Sequence, residues 1–187
     1  FSNPEWVASD LIGQAEHDVL AQCILISKDK KILELTRKEI FKQLKLIPRS
    51  SIAKKSLMTN GILMNVSSDK KIIEIINKLG PEHLEISIKN YKPLVSKIKN
   101  AGSVCLGKYG VMAMTDYGVP GTNHVLPTNS TSKYSSGLNV SEFMKRISFI
   151  TLSKKGIDKL GPSAITLANY EGLSAHAESI IKRIRRK

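Results

Sequence analysis

No apolar run in this chain is long enough to cross a bilayer and no signal peptide is recognisable, so neither membrane association nor secretion is expected. Cysteine is scarce. Cys23 and Cys105 are the only two, and both lie in apolar stretches (Cys23-Ile-Leu-Ile and Ser103-Val-Cys-Leu) where a thiol acts as a small core hydrophobe. No disulfide and no catalytic thiol are expected, and a cytoplasmic setting fits. Acidic residues are few, with 16 Asp and Glu against 29 Lys and Arg, for a net charge of +13. Nucleic-acid binders show such a balance, but no zinc-finger spacing or aromatic stacking pattern accompanies it. The lysines punctuate helices whose apolar residues (Ile72, Ile75, Ile76, Leu79) keep helical spacing, which leaves them on solvent faces. Only the tail from Lys182 to Lys187 is densely basic, at a helix end where cations suit the macrodipole. A nucleic-acid partner is not expected, whereas phosphorylated ligands such as a dinucleotide would be attracted. The chain also lacks a Gly-x-Ser-x-Gly elbow, a His-Glu-x-x-His zinc motif, any internal repeat and any low-complexity linker.

What the chain has is alternation. A helix to about His17 precedes a strand near 22–27, helices near 31–47 and 51–59, and a strand at 61–66. A helix near 69–79, a strand at 84–88, a helix at 91–100 and a strand at 103–106 follow. Short apolar strands between helices of this length predict an α/β fold: a mostly parallel sheet with helices on both faces, an incomplete Rossmann-like arrangement. After Tyr109 a loop rich in Gly, Thr, Asn and Ser is expected, and from about Asn139 helix to the end. The expected organisation is therefore an α/β body over 1–138 and a small all-helical tail over 139–187. A chain of 187 residues opening on Phe1 rather than Met is expected to be a portion of a longer enzyme or an unusually short one.

All four histidines sit beside carboxylates or amides: Gln14-Ala-Glu-His17, Gly80-Pro-Glu82-His83, Asp116 to Asn123-His124, and Glu171-Gly-Leu-Ser-Ala-His176. Taken singly, each is as well explained by a hydrogen-bonded core histidine, and the repeated pairing argues for one assembled site. Asn3 as N-cap, Pro4 in the first turn and Glu5 beside the positive helix end begin a helix that carries Gln14 and His17 three apart, on one face. Gly80-Pro81 ends another helix and leaves Glu82-His83 on the segment leading into a strand, where both reach one cavity only if the chain turns. Gly172 breaks the tail, which puts His176 in the first turn of the last helix and favours a neutral ring there.

The motifs Gln-Ala-Glu-His-Asp, Gly-Pro-Glu-His-Leu-Glu, Ala-Gly-Ser-Val-x-Leu-Gly, Gly-Thr-Asn-His-Val-Leu-Pro-Thr, Ser-Ser-Gly-Leu and Glu-Gly-Leu-x-Ala-His, in this order from residue 14 to residue 176, resemble histidinol dehydrogenase. The likeness covers essentially the whole chain but only the C-terminal portion of the usual enzyme. It implies oxidation of L-histidinol through histidinaldehyde to L-histidine with two NAD and a zinc ion (Zn2+), in a homodimer with shared active sites. Most NAD contacts would come from the part not represented, so no NAD-binding residue is assigned and the chain alone is expected to be inactive. Carried over position by position, the resemblance makes Glu82 and His83 catalytic, the histidine as general base and the glutamate as activator of water. It gives zinc to Gln14, His17, Asp116 and His176. Substrate contacts fall to the same four together with His83, His124 and Glu171. The C-terminal tail would cross to the partner, so that Glu171 and His176 complete the neighbour's site. The chain departs from the family pattern in one extra residue between Asp116 and His124, in Met114-Thr115 before the aspartate, and in Cys105 where Phe is common. A zinc- and imidazole-binding protein without redox activity, or a zinc hydrolase using Glu82 as base, are the alternatives the residues leave open.

Overall fold

The computed structural model describes residues 2–119 and 123–184. They form two compact units, Phe1–Phe143 and Met144–Lys187.

In the first unit, α1 (Pro4–Ala15) starts where Asn3 Oδ1 accepts from the Glu5 amide at 2.9 Å, with proline in the first turn. Its buried residues Ala8, Ile12 and Ala15 recur at helical spacing, and the helix packs on α2 (Lys30–Gln43) and α3 (Ser50–Asn60). Cys23, Ile40, Leu44 and Ala53 close this core. The parallel strands β1 (Ile24–Ser27) and β2 (Ile62–Asn65) pair from Ile24 against Ile62 to Ser27 against Asn65. Parallel neighbours need a long crossover, here supplied by α2 and α3.

The helix α4 (Asp69–Leu79) is capped by Ser68, whose hydroxyl accepts from the Lys71 amide at 3.3 Å, and it ends on Gly80 at φ +58°. Only glycine takes this left-handed conformation without strain, and it halts the helix just before Pro81-Glu82-His83. Strands β3 (His83–Ile86) and β4 (Ser103–Leu106) then pair in parallel, His83 against Ser103. Ile73, Ile86 and Leu94 form a second core with Leu84, Tyr91, Ile98 and Leu106. The fold is α/β with parallel strands, as the alternation implies, but among the described residues the strands form two separate pairs rather than one hydrogen-bonded sheet.

Three local expectations are corrected. The helix expected over 91–100 is confined to α5 (Lys92–Val95). Beyond it the Asn77 side chain donates to Lys97 O at 2.9 Å and accepts from the Lys99 amide at 2.7 Å, so these backbone groups are tied to α4 and not to another helical turn. The loop expected after Tyr109 contains α6 (Met112–Tyr117). Its first amide, Met112 N, donates to Glu85 Oε1 at 2.6 Å, a start signal far away in sequence. Finally, helix does not run from 139 onward. A 3-10 turn at Val140–Phe143 is followed by 144–153 without helix, with Phe149 92% and Ile150 82% exposed.

In the second unit, α7 (Lys154–Tyr170) is capped by Ser153, and Gly172 at φ +74° separates it from α8 (Ser174–Ile184). The two pack where Gly161 is buried against Ile180 and Ile184. No helix among the described residues is long and apolar enough to cross a membrane.

Candidate active site

Three elements and one loop carry the candidate residues of the first unit, and Glu82, His83, Asp116, His124 and His17 lie within one another's electrostatic reach. Gln14 lies half-buried in the last turn of α1, but the helix ends at Ala15, so His17 sits just beyond it rather than on it. The His17 amide still donates to Gln14 O at 3.3 Å, which continues the helical turn, and Arg49 Nη2 donates to His17 O at 3.3 Å.

His83 opens β3. The Gly102 and Ser103 amides donate to Pro81 O at 2.9 Å and Glu82 O at 2.8 Å, so the segment before the strand is pinned to the start of β4. A Cβ added at Gly102 would lie 2.6 Å from Glu82 O, a contact that glycine alone avoids. With this turn the neighbouring side chains converge, Glu82 Oε1 lying 3.7 Å from His83 Nε2.

Asp116 is on α6 with its side chain only 5% exposed, 3.2 Å from Nδ1 of the exposed His124. The contact lacks hydrogen-bond geometry, which leaves Asp116 Oδ1 buried without a hydrogen-bond partner. The His124 loop is held on both sides: the Asn123 side-chain amide donates to Leu138 O, and the Leu138 amide donates to Val125 O at 3.0 Å. The extra residue between Asp116 and His124 falls in a stretch whose residues 120–122 lie outside the described residues.

Electrostatics tie these groups into one site. Burial pushes the His83 imidazole below its ordinary value, opposed by the negative fields of Glu82 and Asp116 and reinforced by His124 and His17. His83 Nδ1 is buried and has no hydrogen-bond partner. A neutral ring near neutral pH is a base ready to accept a proton.

Among the described residues no three His, Cys, Asp or Glu side chains converge closely enough to hold a metal by themselves. The zinc set implied by the resemblance contains only His17 and Asp116 of those types in this unit. The donors do fit a cation chemically: imidazole, amide oxygen and a buried carboxylate oxygen with no hydrogen bond of its own. Glu171 and His176 belong to the second unit, both exposed. Glu171 closes α7, its amide donating to Leu167 O at 3.0 Å, and His176 lies in the first turn of α8, its amide donating to Leu173 O at 3.0 Å.

Sequence reasoning passed over a second polar cluster. Asp10 on α1 and Glu85 on β3 join side chain to side chain and line a cavity of about 250 Å³ with Trp6, Lys108 and Tyr109. The Lys108 ammonium lies 5.3 Å from the Trp6 ring centre and 5.5 Å from that of Tyr109. Helical and strand periodicity would have found both carboxylates, because Asp10 is one turn before Gln14 and Glu85 is two residues after His83.

The histidinol dehydrogenase family profile matches residues 1–184. A histidinol dehydrogenase of Pelagibacter ubique (strain HTCC1062) is 71% identical over 187 residues, covering 100% of this chain and 44% of that protein. One from Listeria monocytogenes serovar 1/2a is 45% identical over 96% of this chain and 42% of its own length. The crystal structure of histidinol dehydrogenase from Elizabethkingia anophelis superposes with a TM-score of 0.85 at 39% identity, covering 98% of this chain and 42% of that one. The chain thus spans less than half the length of these relatives, and its likeness to them in sequence and in fold runs from end to end: it belongs to the histidinol dehydrogenase family.

Proposed function

We propose that this chain supplies the catalytic and most of the metal-binding residues of an NAD- and zinc-dependent enzyme that oxidises L-histidinol through histidinaldehyde to L-histidine. The observation that carries the reading is the half-buried His83, its imidazole held below its ordinary value, beside Glu82 and within the fields of Asp116, His17 and His124. Oxidising an alcohol requires removal of its proton, which is work for a group titrating near the working pH. His83 accepts that proton. Glu82, one-third exposed and close to His83, takes a proton from the water that adds to the aldehyde, and His83 serves again in the second oxidation. Asp116 and His124 contact the substrate at its charged end, with Glu171 from the tail. Gln14, His17, Asp116 and His176 would hold zinc, which would serve to orient the substrate's imidazole and amine, and NAD would supply the hydride acceptor. Gln14, His17 and Asp116 belong to one unit and His176 to the other, and a homodimer in which the tail completes the partner's site accommodates that division. The cytoplasm suits two buried, unpaired thiols.

The test is NAD reduction with histidinol and zinc. The relatives are more than twice as long as the stretch matched here, so the 187-residue chain by itself is expected to show negligible turnover, while the same chain with the remaining portion of a relative turns over histidinol. Failure of the combined protein to reduce NAD overturns the proposal.

A further inference from the structure

Asp10 and Glu85 carry no role in the reaction outlined above, yet they are placed where three site-bearing elements meet. Asp10 lies on α1 one turn before Gln14, so the two lie along one face of the helix. Glu85 stands two residues after His83 on β3, hence on the same side of the strand and about 7 Å along it. Glu85 Oε1 accepts from Met112 N at 2.6 Å at the start of α6, and Asp116 is one turn, about 6 Å, further on. The two carboxyl groups are hydrogen-bonded to each other. Two carboxylates can do that only when one proton lies between them, and Lys108, the cation lining the same cavity, lies over the Trp6 and Tyr109 rings, 5.3 Å and 5.5 Å from their centres.

We propose that Asp10 and Glu85 are positioning residues, a hydrogen-bonded carboxyl pair that clamps α1, β3 and α6 together and so sets the spacing of Gln14, His83 and Asp116. Glu85 is the proton donor of the pair, because its other oxygen is committed to Met112 N. Burial raises both groups, Glu85 to about 7 and Asp10 above its ordinary value. The charged and titratable groups around Glu85 are Asp10 on α1, His83 on its own strand, Cys105 opposite it on β4, Lys108 and Tyr109 beyond β4 and Asp116 on α6. The folded value lies above the ordinary 4.5, so the clamp's contribution is fully present below pH 4.5 and is lost as pH rises through about 7.

The inference rests on the zinc-site reading, and its test separates the two. In the full chain, zinc affinity is measured by chelator competition and the His83 ring titration by NMR, for wild type, Glu85→Ala and Glu85→Gln. Loss of the clamp in Glu85→Ala is expected to weaken zinc about 10–100-fold, the range for groups that orient metal ligands, and to move the His83 titration. Near pH 6, Glu85→Gln is expected to restore both to within about twofold, its amide donating to Asp10 and its oxygen accepting from Met112 N. From about pH 6 to about pH 8.5 wild type should weaken relative to Glu85→Gln as the shared proton departs. If Glu85→Ala matches wild type, or Glu85→Gln is as impaired as Glu85→Ala, the clamp is overturned. Should Glu85→Ala fail to fold, the pH dependence of the wild-type to Glu85→Gln ratio decides, and a flat ratio overturns it. A wild type that binds no zinc sinks the zinc reading alone, and the His83 titration then decides the clamp.

Discussion

His83 gains its chemistry from four neighbours that a sequence scan sees and one condition that it does not. The Gly-Pro-Glu-His string and the pairing of Asp116 with His124 are short-range and were readable as motifs. The burial that holds the ring below its ordinary value is supplied only by folding. His83→Asn keeps a polar, hydrogen-bonding side chain, though a smaller one, while removing the base. In the full enzyme kcat should fall by roughly 10²–10⁴ with zinc content retained, checked by steady-state kinetics and metal analysis. Zinc lost in proportion to activity would instead make His83 a ligand. Asp10 and Glu85 belong to no motif; periodicity puts each on the same face as a site residue, but only the fold brings the two together.

Elements with their own caps were read closely: α4 runs from Asp69 to Leu79 as its Ser68 cap and Gly80 stop imply, and β4 occupies 103–106 as expected. Elements that start or stop on distant partners were missed. The Glu85 carboxylate starts α6, and the Asn77 amide ends α5, neither of which leaves a mark in the local sequence. The stop at Gly80 also matters to the site, since it sets the direction of Pro81-Glu82-His83. A Cβ there would face φ +58° and lie 2.9 Å from Ser132 Oγ. Gly80→Ala should cost about 1–2 kcal/mol, the penalty of a left-handed residue, visible as a lower midpoint in urea unfolding. An unchanged midpoint would mean that the turn has an alternative geometry available.

At the scale of the whole molecule, the proposed zinc set draws on both units, and a site completed by a partner's tail couples metal binding to association. A Gln14→Ala/His17→Ala chain and a His176→Ala chain should each bind zinc poorly. Their mixture, once heterodimers form, should regain one intact site of two, measured as zinc per dimer. Heterodimers that bind no more metal than their parents would place the tail's histidine in its own chain's site. The stretch that opens the second unit carries a different burden. Ile147-Ser-Phe-Ile-Thr-Leu152 is uncharged, free of proline, rich in β-formers and open along its backbone, the makings of a self-adhesive strand while chains are being synthesised side by side. Lys145-Arg146 on one side and Lys154-Lys155 on the other flank it with like charge, so two such strands laid parallel and in register repel at both ends, and part of this chain's basic excess works against aggregation of this segment.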